Sequence, residues 1–132
     1  MQLSFASILL LSLAGSSAAV TCNSGQLWSF GIGYQVELPY YSSSDTIDCN
    51  MGKGANSNAV KLLQQDLNDC YKRGLKVDGD FGDKTLAALI YAQGKAGTTA
   101  DGVYGPNTRK KMDWLGDLGG GHTPICRRLS GF

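Results

Sequence analysis

The residues able to do acid–base or nucleophilic work are few. Ten of the eleven acidic side chains are Asp and the one Glu is Glu37, so a catalytic pair of glutamates is excluded; the one histidine is His122. A single imidazole rules out a His-rich zinc site and any duplicated His/Asp machinery. His122 sits in a GGGHTP stretch, Gly119–Pro124, where glycines would let an imidazole turn into a cleft beside an Asp. That arrangement would make a small hydrolase or peptidase, but a lone histidine in such a stretch is ordinarily just an exposed polar side chain. The inventory leans towards a protein that is not an enzyme and needs no cofactor or metal.

Four cysteines, Cys22, Cys49, Cys70 and Cys126, carry the other chemistry. No C-x-x-C spacing suggests zinc. An even number in a small exported chain reads as two disulfides, with any of three pairings open. Export is signalled by the run from Phe5 to Leu13, about ten residues against the roughly 20 that a membrane span needs. Ser17 and Ala19 then occupy the small positions of a cleavage site, so residues 1–19 read as a signal peptide. Nothing basic precedes the apolar run, which suits a eukaryotic signal better than a bacterial one. The expectation is a secreted monomer of one domain with no membrane anchor. Twelve basic against eleven acidic side chains, a formal net charge of +1 over 132 residues, leave no footprint for nucleic acid or for polybasic membrane binding.

Three helices must position whatever site exists. Val60, Leu63, Leu67 and Tyr71 recur at helical spacing, giving a helix from Asn58 to Arg73 with Ser57 or Asn56 as N-cap and Gly74 as the left-handed stop. Leu86, Leu89, Ile90 and Gln93 mark a second, opened after Gly82 and closed near Gly94 or Gly97. A third starts at Pro106 and runs through Met112 and Leu115 to the Gly116 region. Residues 20–50 are rich in Ser, Gly and aromatics (Trp28, Phe30, Tyr34, Tyr40, Tyr41) without a sustained period. They are expected to be an irregular extension capping the core, with a short strand at Tyr34–Leu38 stopped by Pro39. The expectation is thus an all-α three-helix bundle over 51–116, the extension before it, and a tail, 117–132, tied by Cys126.

The most specific feature is a duplication. Asp78-Gly79-Asp80-Phe81-Gly82-Asp83-Lys84-Thr85 returns 23 residues later as Asp101-Gly102-Val103-Tyr104-Gly105-Pro106-Asn107-Thr108. Each copy opens a helix. Asp78 and Asp101 can accept local N–H bonds, Gly79, Gly82, Gly102 and Gly105 permit positive φ, Phe81 and Tyr104 plug the bundle, and Thr85 and Thr108 add first-turn bonds. A calcium loop is excluded by spacing: the sixth place holds Asp83 and the twelfth Leu89.

With those residues in order, the stretch from Cys49 to Leu115 resembles the peptidoglycan-binding domain (type 1) family: a glycine lead-in at Gly52 and Gly54, V-x-x-L-Q-x-x-L at Val60, Leu63, Gln64 and Leu67, the first D-G-x-F-G-x-x-T loop, Ala88, Leu89 and Gln93, then the second loop. Ala92 departs from it, standing where the family has an aromatic; Tyr91 or the extension would fill that space. The resemblance implies a non-catalytic module presenting a shallow groove to peptidoglycan or a related cell-wall glycan. The ligand-binding candidates it points to are Gln64, Gln93, Tyr104, Asn107 and Arg109, with a structural role for the glutamines, holding loop backbone, as the competing assignment. The alternatives are a secreted interaction or effector protein using the bundle as scaffold for its aromatic extension, chitin binding through that extension, and the His122 hydrolase.

Overall fold

The computed structural model describes residues 20–31 and 33–129; the expected signal peptide, residues 1–19, lies outside them. Strands β1 (Ser24–Phe30) and β2 (Tyr34–Tyr40) precede helices α1 (Asn58–Tyr71), α2 (Asp83–Ala96) and α3 (Pro106–Lys111), and strands β3 (Asp113–Gly116) and β4 (Ile125–Arg128) follow. The all-α expectation is therefore corrected. Two antiparallel two-stranded sheets, β1–β2 and β3–β4, flank the helices.

The extension is a hairpin, not an irregular segment. Tyr34, Val36 and Leu38 point to the core while Gln35 and Glu37 face out, a strict two-residue alternation confined to one strand. The partner strand, SGQLWSF, has no such pattern, which is why the period is easily missed. Pro39 does not end β2; it pairs in register with Gly25. A two-stranded hairpin leaves alternate N–H groups outside the ladder, so a proline there forfeits no bond. Trp28, Phe30, Tyr40 and Tyr41 are partly buried against the core, so the extension's aromatics serve as its cap.

Helix α1 starts as its sequence dictates, with Ser57 Oγ accepting from Val60 N at 3.3 Å. It ends two residues before Arg73: Lys72 takes the left-handed conformation (φ 56°), and Asn68 then clamps the exit by bonding both the N–H (2.6 Å) and the C=O (2.8 Å) of Leu75. Helix α2 stops with a left-handed Gly97, φ 76°.

The third helix is shorter than its apolar pattern suggests. After Lys111 the chain turns extended at Met112 and becomes β3. Tertiary bonds decide this: Asp113 N donates to Tyr71 Oη (2.8 Å), Leu115 N to Asp66 Oδ1 (2.9 Å), and Tyr34 Oη donates to Trp114 O (2.6 Å). Three side chains from two other elements thus take backbone groups that a helix would have used internally. Tyr34 lies so close to β3 that a Cβ on Gly116 would meet its ring at 2.3 Å.

Val36 and Leu38 from β2, Val60, Leu63 and Leu67 from α1, Leu89 and Ala92 from α2, and Tyr104, Met112 and Trp114 beyond them form one buried core. Tyr104 and Trp114 meet edge to face with centroids 5.9 Å apart. Tyr91 does not fill the space beside Ala92; it lies at the surface with the Arg73 guanidinium 3.5 Å above its ring. The disulfides pair Cys22 with Cys49 and Cys70 with Cys126, fastening the hairpin to the lead-in of α1 and the end of α1 to β4. Among the described residues no helix is long and apolar enough to cross a membrane.

Candidate functional site

Each copy of the repeated loop is built around a buried glutamine from the preceding helix. Gln64 Nε2 donates to Asp78 Oδ1, to Asp80 O and to Thr85 Oγ1, each at 3.0 Å. Its Oε1 accepts from Asp78 N (3.1 Å) and Gly79 N (2.9 Å). Gln93 repeats the scheme one helix later, donating to Asp101 Oδ1 (3.1 Å), Val103 O (2.9 Å) and Thr108 Oγ1 (3.0 Å) and accepting from Gly102 N (2.9 Å). A primary amide is the side chain that can serve donors and acceptors of a turn at once. The N–H of Asp80 and the amide of Gln64 hold the Asp78 carboxyl below the usual carboxylate range.

Of the four repeat glycines expected at positive φ, two are there; Gly82 (φ −101°) and Gly105 (φ −158°) are not. Gly79 (φ +79°) and Gly102 (φ +72°) lie in the left-handed region, and each tucks its loop against the first turn of the helix before it. A Cβ would meet Ser57 O at 3.1 Å in the first copy and Leu86 Cδ1 at 2.3 Å in the second.

The lead-in segment 51–56 runs between the two loops and bonds to both. Met51 exchanges backbone bonds with Tyr104 (2.9 and 2.8 Å), while Gly54 N donates to Phe81 O and Phe81 N to Ala55 O, both at 2.9 Å. Phe81 and Tyr104 are thereby equivalent plugs, both buried.

The duplication also yields a pair of surface cavities, about 230 Å³ at the first loop and about 240 Å³ at the second. They are chemically opposite. The first is lined by Lys76, Asp80, Asp83 and Lys84. At the positions 23 residues on, the second has Thr99, Val103, Pro106 and Asn107, with Thr98 in place of Leu75. Asn50 closes the second cavity from the lead-in side; a Cβ on Gly105 would come within 2.4 Å of its carboxamide oxygen. The one acidic residue on that wall, Asp101, has its Oδ1 taken by Gln93 and by Val103 N. What the second loop offers is a recess of hydroxyl and amide groups, able to hydrogen-bond an uncharged polar ligand.

The five ligand-binding candidates do not come together on one surface. Gln64, Gln93 and Tyr104 are 1 % exposed or less, and Arg109 is 3 % exposed. Arg109 Nη1 donates to Ile47 O (2.7 Å) and Asp48 Oδ1 (2.9 Å), fastening the extension to α3. Tyr104, fully buried beside Trp114, has its hydroxyl pushed well above the ordinary tyrosine range by desolvation. Asn107 is exposed and lines the second cavity. Asn50, Thr98 and Thr99 join it there without having been singled out by sequence. The signal for the threonines is the 23-residue offset extended back from the loop; for Asn50 it is nothing more than its place beside Cys49. His122 is exposed on the Gly119–Gly121 turn.

Residues 56–112 match the family model described as "Putative peptidoglycan binding domain". Across 113 residues the chain is 39 % identical to an uncharacterized protein of Kitasatospora aureofaciens, covering 85 % of this chain and 82 % of that one. It is 40 % identical over 82 residues to an autolytic lysozyme of Clostridium acetobutylicum, 59 % of this chain and 25 % of the lysozyme. It is likewise 40 % identical over 65 residues to a probable N-acetylmuramoyl-L-alanine amidase of Bacillus licheniformis, 46 % of this chain and 18 % of the amidase.

Proposed function

The chain belongs to the peptidoglycan-binding domain family, and from that premise we propose that it is a secreted, non-catalytic protein that attaches to peptidoglycan through the lysine-free cavity of its second loop. The observation that carries the reading is the contrast between the two cavities. One scaffold is used twice, and in the second copy the places of Lys76 and Lys84 are taken by Thr99 and Asn107. N-acetylated sugars and peptide amides are uncharged and rich in donors and acceptors, so hydroxyl and carboxamide side chains in a shallow recess match them. The absence of catalysis is supported by what the relatives share: a lysozyme and an amidase cut different bonds, yet both resemble this chain over a quarter of their length or less. A segment common to two chemistries is better suited to holding the wall than to cutting it.

Sedimentation with insoluble peptidoglycan, with chitin and cellulose as controls, tests this. The protein should pellet with peptidoglycan, and Asn107→Ala and Thr99→Ala should each weaken retention roughly threefold to tenfold, the value of one net hydrogen bond. Lys84→Ala, at the equivalent place in the first cavity, should leave retention unchanged. Failure to pellet, or equal losses from the Asn107 and Lys84 variants, sinks the proposal.

A further inference from the structure

The two disulfides differ in what can reach them. Cys22 and Cys49 are fully buried, whereas Cys126 is exposed on β4 and its partner Cys70 is partly buried. Thiol exchange needs access to one sulfur, so an incoming thiol meets Cys126 first. The surroundings suit a thiolate, the form that attacks. Arg128 shares a strand face with Cys126, Arg127 follows it directly, and neither is ion-paired to a carboxylate among the described residues.

The other sulfur sits beside a buried acid. Asp66 precedes Cys70 by one turn of α1, and Cys70 Sγ lies 3.5 Å from Asp66 Oδ1. The same oxygen accepts from Leu115 N at 2.9 Å, and Leu115 stands directly opposite Cys126 across the β3–β4 pair. Helix, strand and disulfide thus converge on one carboxyl. Asp66 is 5 % exposed, and burial raises its carboxyl well above the ordinary range, so it keeps its proton where surface carboxylates have lost theirs. Holding Leu115 N needs only an acceptor, which Asn would supply; what Asp adds is a proton that can be given up. A sulfur leaving the disulfide at Cys70 carries negative charge into the last turn of α1, where the helix dipole opposes it. A proton delivered there removes that cost.

We propose that Cys70–Cys126 is a thiol-exchange site whose substrate is a small external thiol and whose proton donor is Asp66. The thiol loses its proton to water, and its sulfur attacks Cys126 Sγ. A new S–S bond forms there as the Cys70–Cys126 bond breaks. The electron pair departs on Cys70 Sγ, which takes the Asp66 carboxyl proton, and Asp66 recovers one from solvent. The product is a mixed disulfide on Cys126. A second thiol then attacks the outer sulfur, leaves with it as the symmetrical disulfide and frees Cys126 as a thiol, so that the protein gains the two electrons lost by two thiols. Exchange does not require unfolding, because β4 keeps its other ties: the pairing with β3, the Tyr34 Oη bond to Ile125 O (3.2 Å) and the Arg128 Nη2 bond to Ala96 O (3.0 Å).

The test treats the full chain with 2-mercaptoethanol at a series of pH values, quenches with acid, alkylates free thiols and reads each cysteine by peptide mass spectrometry. Cys70 and Cys126 should be released while Cys22 and Cys49 stay bonded, and the mixed disulfide should be found on Cys126. Asp66→Asn keeps the acceptor for Leu115 N and should slow the release about a hundredfold at mildly acidic pH, the lower end for a positioned proton donor. The ratio of wild-type to variant rates should fall towards one as pH rises and Asp66 loses its proton. Around Asp66 stand Asp69 and Tyr71 of α1, Glu37 and Tyr34 of β2, Asp113 of β3 and Tyr104, with Arg127 and Arg128 of β4 facing the first two tyrosines. All are retained in the variant, so the ratio reports Asp66 alone. A variant that merely loosened the fold would be reduced faster, not slower. Release of both bridges together, a mixed disulfide on Cys70, an undiminished rate in Asp66→Asn or a ratio independent of pH overturns the inference.

Discussion

Gln64 and Gln93 stand in the same relation to two different loops: in each case Nε2 lies 3.0 Å from the Thr hydroxyl that opens the next helix and bonds the carboxylate of the Asp that opens the turn. The two amides are the hubs of the domain, since each joins the end of one helix to the start of another. Gln93 is fully buried and Gln64 is 1 % exposed.

Replacing such a hub should therefore act on stability and not on ligand contact. Gln93→Ala leaves Gly102 N without its partner and Val103 O and Thr108 Oγ1 with only their mutual 3.4 Å bond, and should cost about 3 kcal/mol in urea unfolding. Gln93→Glu should be as harmful despite its matching size, because a carboxylate cannot donate to Val103 O and would face Asp101. Wild-type-like stability of Gln93→Glu would show that donation is unimportant there.

Arg109 should behave as a fastener of the segment that follows the hairpin. Arg109→Lys loses the fixed geometry that bonds Ile47 O and Asp48 together and should cost about 2 kcal/mol. Asp48→Asn should cost under about 1 kcal/mol, because Asp48 is 68 % exposed and the pair is open to solvent on that side. The comparison is made by thermal unfolding of the two variants side by side.

The gap between prediction and structure has physical causes that these residues illustrate. The periodicity of Val60, Leu63 and Leu67, the Ser57 cap and the duplicated loop are local, so α1, α2 and the turns are legible in sequence. The lengths of α3 and β3 are set by Tyr34, Tyr71 and Asp66, which come from distant parts of the chain. The hairpin hides because one strand is apolar on alternate residues and the other is not. For Gln64 and Gln93 residue type allows both a ligand contact and a loop-holding role, and for Arg109 it suggests the surface; only the folded packing decides that all three face inward.

Asp66 should give stability an unusual acid dependence. Its folded carboxyl is raised above the usual value near 3.8, so between the unfolded and folded values the native state holds the extra proton, and stability falls as pH rises through that window. Glu37, Asp69 and Asp113 and the hydroxyls of Tyr34, Tyr71 and Tyr104 surround or feel this group. Asp66→Asn should remove its share of the decline: urea unfolding across the acid to neutral range should find the variant gaining on the wild type as pH rises. A constant difference at every pH would mean that Asp66 titrates as an ordinary surface carboxylate.

Alkali should unfold the protein by way of Tyr34 and Tyr71. Desolvation raises both hydroxyls from 10.0 to about 12. A raised folded value means that their contribution is complete below pH 10 and is lost as pH rises towards 12. Phenolate absorbance should therefore appear in step with loss of the near-ultraviolet circular dichroism, and Tyr34→Phe, which gives up the bond to Trp114 O, should cost about 1 kcal/mol at neutral pH. Ionisation of all six tyrosines near pH 10 with the fold intact would contradict the burial of these two.

Each cysteine is bonded to its neighbour in the order of synthesis, Cys22 to Cys49 and Cys70 to Cys126. The two covalent rings are neither nested nor interlaced. The first closes on residues that have all been made before Cys70 exists, so at that stage a thiol has one possible partner. Oxidation can keep pace with the growing chain, and a wrong cross-link becomes available only if the first ring stays open until the third thiol arrives.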